Sequence, residues 1–505
     1  MRNIIKTALL SIGVMLYVTS CSDDFLTAEP TAYLSSGAMS EIAKNDPASV
    51  LEPLVSGIYS TTFMLGSGGL NSADSRNDMD YGQKNIDLIT DIMCNDIAGV
   101  AFTYNWYRTV AQYTDQIKTG SMPYAAWRFY YRIIKSANEV LDILGGDEQM
   151  PEDAASKIYY GQAKVMRAYA YFYLVNLYQH PYSDKKNNPG VPIYRTQLEA
   201  SMHGQSSVEE VYGLIISDLE DAVVALRGFD RGTDKSKANQ DVAFGFLANA
   251  YLFTGEYVKA AAAADSVISS ANYPILSQST VLTNGFNTVN SNWIWGIEVT
   301  PDNYSGIQNW WTHMDYFTYG YASAGDAKAI DAGLYASIPA SDVRKKWFGN
   351  YASGAVVPGA SPLMPLNKFF DPVRVPDGDK TWVNDLVYMR AEEMYLIKAE
   401  ALANADDLLG AKDALQKLLT ERNTTANISG LNKTDLLNEI YFNWRVEMWG
   451  EGKSYFAMKR FKKTTKRGTN HAYYAGETFP YNYEKMILEI PEREHLNNPN
   501  IVAQN

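Results

Sequence analysis

The sequence predicts a mainly α-helical protein, an α-solenoid scaffold of four helix pairs carrying an irregular, loop-rich subdomain with a few short strands. Three observations lead there. Apolar residues recur at helical spacing in several segments long enough to be helices. Two of those segments resemble each other as helix–turn–helix units. The block at 275–385 shows no such period and is rich in Gly, Pro, Asn and aromatics.

The chain opens "MRNIIKTALLSIGVMLYVTSC". Arg2 and Lys6 give a basic start, and the apolar run from Ala8 to Val18 is too short to span a bilayer. Residues 1–20 therefore read as a secretory signal. "VTSC", Val18 to Cys21, resembles a bacterial lipobox, with cleavage before Cys21 and lipidation of it; the competing reading is plain secretion. A diacylglycerol plus an amide-linked chain supplies more than one acyl anchor, enough for stable attachment. Removing Arg2 and Lys6 with the signal takes the net charge from −13 to −15, which argues against nucleic acid and other polyanions as partners. With Cys21 lipidated, Cys94 is the one thiol left, so no intrachain disulfide is expected. No later apolar run reaches transmembrane length.

Residues 21–50 are expected to be the lipidated Cys and an extended leader, and 51–274 a helical region. Within it, "YAAWRFYYRIIKSANEVLDIL" (124–144) ends at Gly145-Gly146, a helix stop. Near 208, Val208, Val211, Tyr212, Ile215, Leu219, Ala222, Val223 and Leu226 share one face, and Ser207 with Glu210 forms a capping-box pattern. In "FGFLANAYLFTGEYVKAAAAADSVI", Phe244, Leu247, Ala248 and Tyr251 form one stripe, Gly255 turns the chain, and Tyr257, Ala260 and Ala264 form a second. "MYLIKAEALANADDLLGAKDALQKLL" repeats this with Tyr395, Ala399 and Leu402, then Leu408, Ala411, Leu415 and Leu418. Small residues at the crossing and aromatics beside it resemble a tetratricopeptide (TPR) repeat. Pairing 50–63 with 124–144 and 160–178 with 208–226 completes four units with a continuous core. The block at 275–385 is too long for one structureless loop and is expected to be a subdomain; "SNWIWGIEV" (291–299) alternates like a strand. Residues 386–505 hold the last TPR helices and an irregular tail.

The five His are scattered and no HExxH occurs, so no metal site is expected. "GEGKS" (450–454) lacks the first Gly of a phosphate loop, Glu447 standing there, and follows a helix where a strand is needed. No GxSxG is present, and Cys94 reads as a small buried hydrophobe. The expectation is no enzyme, no catalytic residue and no cofactor, although 57 acidic residues leave a glycosidase-type carboxylate pair open.

"CSDDFL" (21–26), "GQAKVMRAYAYFYLVNLY" (161–178), "LVYMRAEEMYLIKAEALA" (386–403), "EIYFNWRVEMWGEGKSYFAMKRF" (439–461) and "LEIPEREHLNNPNIVAQN" (488–505) occur in this order. Together with the lipobox they resemble the SusD-like (RagB/SusD) surface lipoproteins of Bacteroidetes. The resemblance implies a four-TPR scaffold with a loop domain. It also implies capture of oligosaccharides at the outer face of the outer membrane and a TonB-dependent, SusC-like barrel as partner. Asp23 and Asp24 after Cys21 resemble the family's surface-export signal. The resemblance makes Arg445 and Glu447 structural, as a buried pair closing the last helix on the repeats. Some relatives capture peptides, so a peptide-binding lipoprotein of a similar complex is the alternative, and a purely structural barrel partner a third.

In the family, glycan contacts come from loops at places like 98–108, "AGVAFTYNWYR", and 302–321, "DNYSGIQNWWTHMDYFTYGY". Their chemistry suits a sugar. A pyranose face stacks on Trp or Tyr, and its hydroxyls need planar polar partners. Tyr104, Asn105, Trp106, Arg108, Tyr304, Trp310 and Trp311 are the candidate contacts, with the aromatics of 104–107 alternatively facing the barrel. Trp293, Trp295 and Phe317 are assigned to the core.

Overall fold

The computed structural model describes residues 36–70, 77–197 and 202–505. The signal segment and Cys21 lie outside these described residues. The predicted fold class holds: the described residues are mainly helical, and four helix pairs stack in chain order. Pro47–Thr61 packs on Ser121–Ile143, and Ala154–Tyr178 on Val208–Ala225. Gln240–Thr254 packs on Tyr257–Ser269, and Ala391–Asn404 on Leu408–Thr420. Neighbouring units join through Ser121–Ile143 against Ala154–Tyr178 and through Tyr257–Ser269 against Ala391–Asn404. The last long helix, Lys433–Glu447, closes on the fourth pair.

Local chemistry fixes the helix ends. The Ser207 hydroxyl accepts from the Glu210 amide (3.2 Å), and Glu210 Oε2 accepts from the Ser207 amide (2.7 Å), a complete capping box. Asp153, Asn239, Asp407 and Asn432 cap four further helices in the same way. The extended leader expected through residue 50 gives way earlier. Ser36–Asn45 is already helical, and Asp46 then caps Pro47–Thr61, whose first residue is a proline suited to that position.

The loop region is bolted to the repeats in two ways. Trp293–Ile297 pairs antiparallel with Leu386–Arg390, Trp293 opposite Arg390 and Ile297 opposite Leu386. This ribbon lies against Gln240–Thr254, and the approach is close at Gly245, where an added Cβ would sit 2.3 Å from the Met389 sulfur. Trp293 and Trp295 are buried in this contact, as expected.

The second bolt is a knot of buried charge. Glu447 accepts from Arg344 Nη1 (3.2 Å), Arg390 Nη1 (2.8 Å) and Arg422 Nε (2.9 Å). Glu451 accepts from Arg390 Nε (2.8 Å) and Lys368 Nζ (2.8 Å), while Glu392 and Asp342 complete the balance. Burial alone would push the Glu447 carboxyl up. Arg422, Arg390 and Arg344 overcome it and hold the group well below the usual carboxylate range. Burial likewise opposes ionisation of Glu451, but Arg390 and Lys368 bring it down to about 2. The expected Arg445–Glu447 pair is therefore corrected. Both residues are structural, but they lie on different sides of one helix. Arg445 reaches Asp96 through Nε (2.8 Å) and Nη2 (2.6 Å), and Glu447 takes three other arginines.

"GEGKS" is a packed turn between two helices. Gly450 and Gly452 have φ of 80° and 74°, and the Gly452 amide donates to Asp91 (3.1 Å). Cys94 is buried, and burial pushes its thiol well above the ordinary range.

Candidate functional site

The segment 309–322 explains most of the site. Asn309 caps the five-residue helix Trp310–Met314, its side chain accepting from the Thr312 amide (3.2 Å). All five residues of the helix are buried. Trp310 and Trp311 are each 2% exposed, so neither offers a ring face to a ligand, and their candidacy as contacts is corrected. Trp310 stands edge-on to Phe369 (4.8 Å) and Trp311 (5.1 Å), with Lys84 Nζ 5.2 Å from its ring. The Trp311 indole donates to the Asp385 carbonyl (3.0 Å). Adjacent indoles read as a loop in the sequence, but here they form the core side of a capped helical turn. Trp310 reaches only the floor of a crevice of about 20 Å³ shared with Tyr304, Trp382 and Asn384, room for roughly one water. Phe317 is buried, as expected.

Beyond that helix the chain folds back, the Ala322 amide donating to the Thr312 carbonyl (2.8 Å). Gly320 makes the return possible: a Cβ there would lie 2.4 Å from Thr312 Cβ. On either side of this bare position Tyr319 is exposed and Tyr321 half-buried. Tyr321 is anchored by donating to Asp78 Oδ1 (2.5 Å) and by stacking on His313 at 4.7 Å, itself stacked on Tyr81 at 5.7 Å. His313 Nε2 lies 2.9 Å from the Asp78 carbonyl and so carries the proton. Burial, with Lys328 nearby, drives its pKa well below the ordinary range, so the stack is neutral.

The loop at 102–108 meets Tyr321 from the other side. Tyr104 and Trp106 each stand edge-on to it with ring centroids 5.6 Å apart. Tyr104 is 49% exposed; Asn105 and Arg108 are exposed, and Trp106 is partly buried. The loop is held in shape by left-handed residues, Asn105 (φ 65°) and Tyr107 (φ 61°). The Tyr107 ring is wholly buried and its hydroxyl donates to Asn85 (2.8 Å). Strained backbone of this kind persists when its surroundings dictate it, and it concentrates at functional sites. Thr103 donates to the Gly325 carbonyl (3.1 Å), and the amides of Thr103, Tyr104 and Trp106 face the Asp326 carboxylate. Asn105 and Arg108 make no side-chain hydrogen bond among the described residues, so their donors remain available.

Tyr319, 45% exposed, sits 6.4 Å from the Trp382 ring, whose indole donates to the Tyr319 carbonyl (2.9 Å). Lys380 Nζ lies 5.3 Å from the Tyr319 ring. Trp382 and Tyr304, which is 46% exposed, border the same narrow crevice. Tyr319 and Tyr321 are two residues apart, at most ~7 Å between Cα atoms. The cluster of Tyr104, Trp106 and Tyr321 and the pair of Tyr319 and Trp382, with Tyr304 on the shared crevice, are therefore joined through the short backbone step from Tyr319 to Tyr321. Of the expected contacts, Tyr104 and Trp106 touch Tyr321, Asn105 and Arg108 are exposed on the same loop, and Tyr304 lines one crevice with Trp382. Tyr319, Tyr321 and Trp382 join the candidates in the structure, though the sequence reading did not put them forward. The two tyrosines stood in the aromatic run, but Trp382 is a lone ring in a polar stretch and gave no signal.

Among the described residues no group of three or more His, Cys, Asp and Glu side chains is placed to hold a metal ion. No helix among them is long and apolar enough to cross a membrane.

The architecture is thus a tetratricopeptide-like helical scaffold with partly exposed aromatic rings on a bolted loop region. Comparison with known proteins agrees. A family model described as "Starch-binding associating with outer membrane" matches residues 72–252, and one described as "SusD family" matches 341–505. The chain belongs to the SusD-like family. A SusD-like protein of Formosa agariphila is 25% identical over 179 residues, covering 35% of this chain and 32% of that protein. One of Bacteroides ovatus is 27% identical over 261 residues, covering 50% of this chain and 40% of the relative. The matches thus span well under half the length of these curated relatives. The crystal structure of a SusD-like carbohydrate binding protein from Bacteroides vulgatus is 25% identical with a TM-score of 0.75, covering 90% of this chain and 96% of that one.

Proposed function

We propose that the protein is a cell-surface, glycan-binding lipoprotein of the outer membrane, without catalysis, that captures oligosaccharides and hands them to a SusC-like, TonB-dependent transporter. The observation that carries this reading is two groups of partly exposed rings, Tyr104 and Trp106 around Tyr321, and Tyr319 beside Trp382 with Tyr304 on the same crevice, on segments joined at Gly320. Flat, electron-rich faces suit the C–H face of a pyranose, and Asn105, Arg108 and Lys380 supply donors for its hydroxyls. The rings are already fixed, by the Tyr321–Asp78 bond and the left-handed loop residues, so little side-chain entropy is lost on binding. The solved relative's description as a carbohydrate binding protein supports the same chemistry. Attachment through lipid on Cys21 would keep these rings at the cell exterior.

The test is affinity electrophoresis and calorimetry of the mature protein against soluble starch, pectin, xylan and laminarin, with tripeptides as a separate arm. Retention by one glycan, lost in Tyr104→Ala and Trp382→Ala, supports the reading. Release of new reducing ends would replace it with an enzyme, and binding of peptides alone with a peptide carrier. Loss of labelled palmitate incorporation in Cys21→Ala is expected, and a labelled variant would refute the anchor.

A further inference from the structure

A cavity whose lining shares no residue with the two aromatic groups is not used by the reading above. It holds about 620 Å³, within the usual range for small-molecule sites. Its walls are the short helix Ala332–Ser337, Arg445 of the last long helix, and the segment Thr464–Thr469 with Gly476.

The charge on these walls is one-sided in a chain of net charge −13. Arg445 uses Nε and Nη2 on Asp96 Oδ1, and its side chain is 20% exposed. Its Nη1 makes no hydrogen bond among the described residues and is not among the buried unpaired atoms, so it opens to solvent at the cavity. Lys466 is exposed and unpaired there. Arg467 turns its guanidinium inward, donating to Asn95 Oδ1 (2.6 Å) and the Ala111 carbonyl (2.6 Å), and adds positive potential behind the wall. The one lining carboxylate, Asp331, is saturated. It accepts from the Leu334 amide (2.7 Å), the Gly468 amide (2.5 Å) and His471 Nε2 (3.0 Å). It therefore has little left to offer a ligand cation. Thr464 and Thr469 line the same space, and their hydroxyls, with no side-chain hydrogen bond among the described residues, are available as donors and acceptors.

We propose that this cavity is a second ligand site, for a small hydroxylated carboxylate of the hexuronate type. The carboxylate would bridge Arg445 Nη1 and Lys466 Nζ, and the ring hydroxyls would be taken by Thr464 and Thr469. Two reachable donors on separate side chains match a planar monoanion, and a charge-assisted bond to each gives it an advantage over a neutral sugar.

The experiment is calorimetric titration of the mature protein with D-glucuronate, and separately with D-glucose, acetate and inorganic phosphate. One glucuronate per chain is expected, bound about tenfold or more tightly than glucose or acetate. Arg445→Ala would strand Asp96 and unsettle the fold, so two rim variants carry the test. Thr469→Trp fills the cavity and should weaken glucuronate binding at least ~10-fold, with the melting temperature held. Lys466→Ala should remove most of the preference over glucose, and Tyr104→Ala should leave glucuronate binding unchanged. Glucuronate binding no tighter than glucose, phosphate binding tighter than glucuronate, or undiminished binding by folded Thr469→Trp would each overturn the proposal.

Discussion

Tyr104→Ala separates the aromatic rings from the scaffold that bears them. Tyr104 is 49% exposed and touches its group edge-on at Tyr321. An aromatic side chain buries roughly 150–250 Å² when fully covered, so about 100 Å² of this ring stands in solvent. A sugar stacked on one face would cover about half of that, ~50 Å², and lose a similar area itself. At ~25 cal/mol per Å², about 100 Å² in total corresponds to ~2.5 kcal/mol as an upper bound. Ordering and desolvation reduce it, leaving ~1–2.5 kcal/mol, a ~5- to 70-fold loss in affinity. Stability should change little, by the ~0.5–1.5 kcal/mol of one edge contact at most. Calorimetry against the glycan that the wild type binds best measures the first number, and thermal melting the second. Affinity within twofold of wild type, with an unchanged melt, would refute the stacking argument.

Trp310→Ala should do the reverse, destabilising the fold by ~3–5 kcal/mol in chemical denaturation because its ring lies in the core. Glu447→Ala should cost ~3–5 kcal/mol, since three buried guanidinium groups lose their shared partner. Acid titration should find the same knot. Glu451 is held at about 2 in the fold and Glu447 well below its ordinary value, so the unfolded chain takes up their protons first as pH falls. The Glu451 contribution is present above about pH 4.5 and is lost between there and about pH 2, and that of Glu447 is lost in the same direction as pH falls, which circular dichroism against pH would follow. Ser207→Ala should cost about 1 kcal/mol through the lost cap.

The helix pairs were legible because burying one face of a helix imposes a 3.6-residue period on many side chains at once. Val211, Ile215, Leu219 and Ala222 can hardly be read otherwise. The capping box at Ser207 was equally local. Trp310 and Trp311 misled because a turn of five residues is too short to show a period, and a side chain's burial there depends on Phe369 and Lys84, far away in the chain. Tyr321 depends on Asp78 and His313, and Trp382 on the Tyr319 carbonyl, so their exposure is a property of tertiary contacts. Arg445 and Glu447 were recognised as structural, but which partners they chose depended on which face of the helix met Asp96 and which met three arginines.

The missing side chain at Gly320 carries a consequence for selectivity. Because the backbone there rests directly on Thr312, the points from which Tyr319 and Tyr321 leave the chain are set by a packed turn, while Tyr321 is further tied through its hydroxyl to Asp78. A ligand whose ring spacing differs would be met by adjustment of the exposed Tyr319, with Tyr321 held in place. Retuning such a surface would then proceed by lengthening or shortening the neighbouring loops.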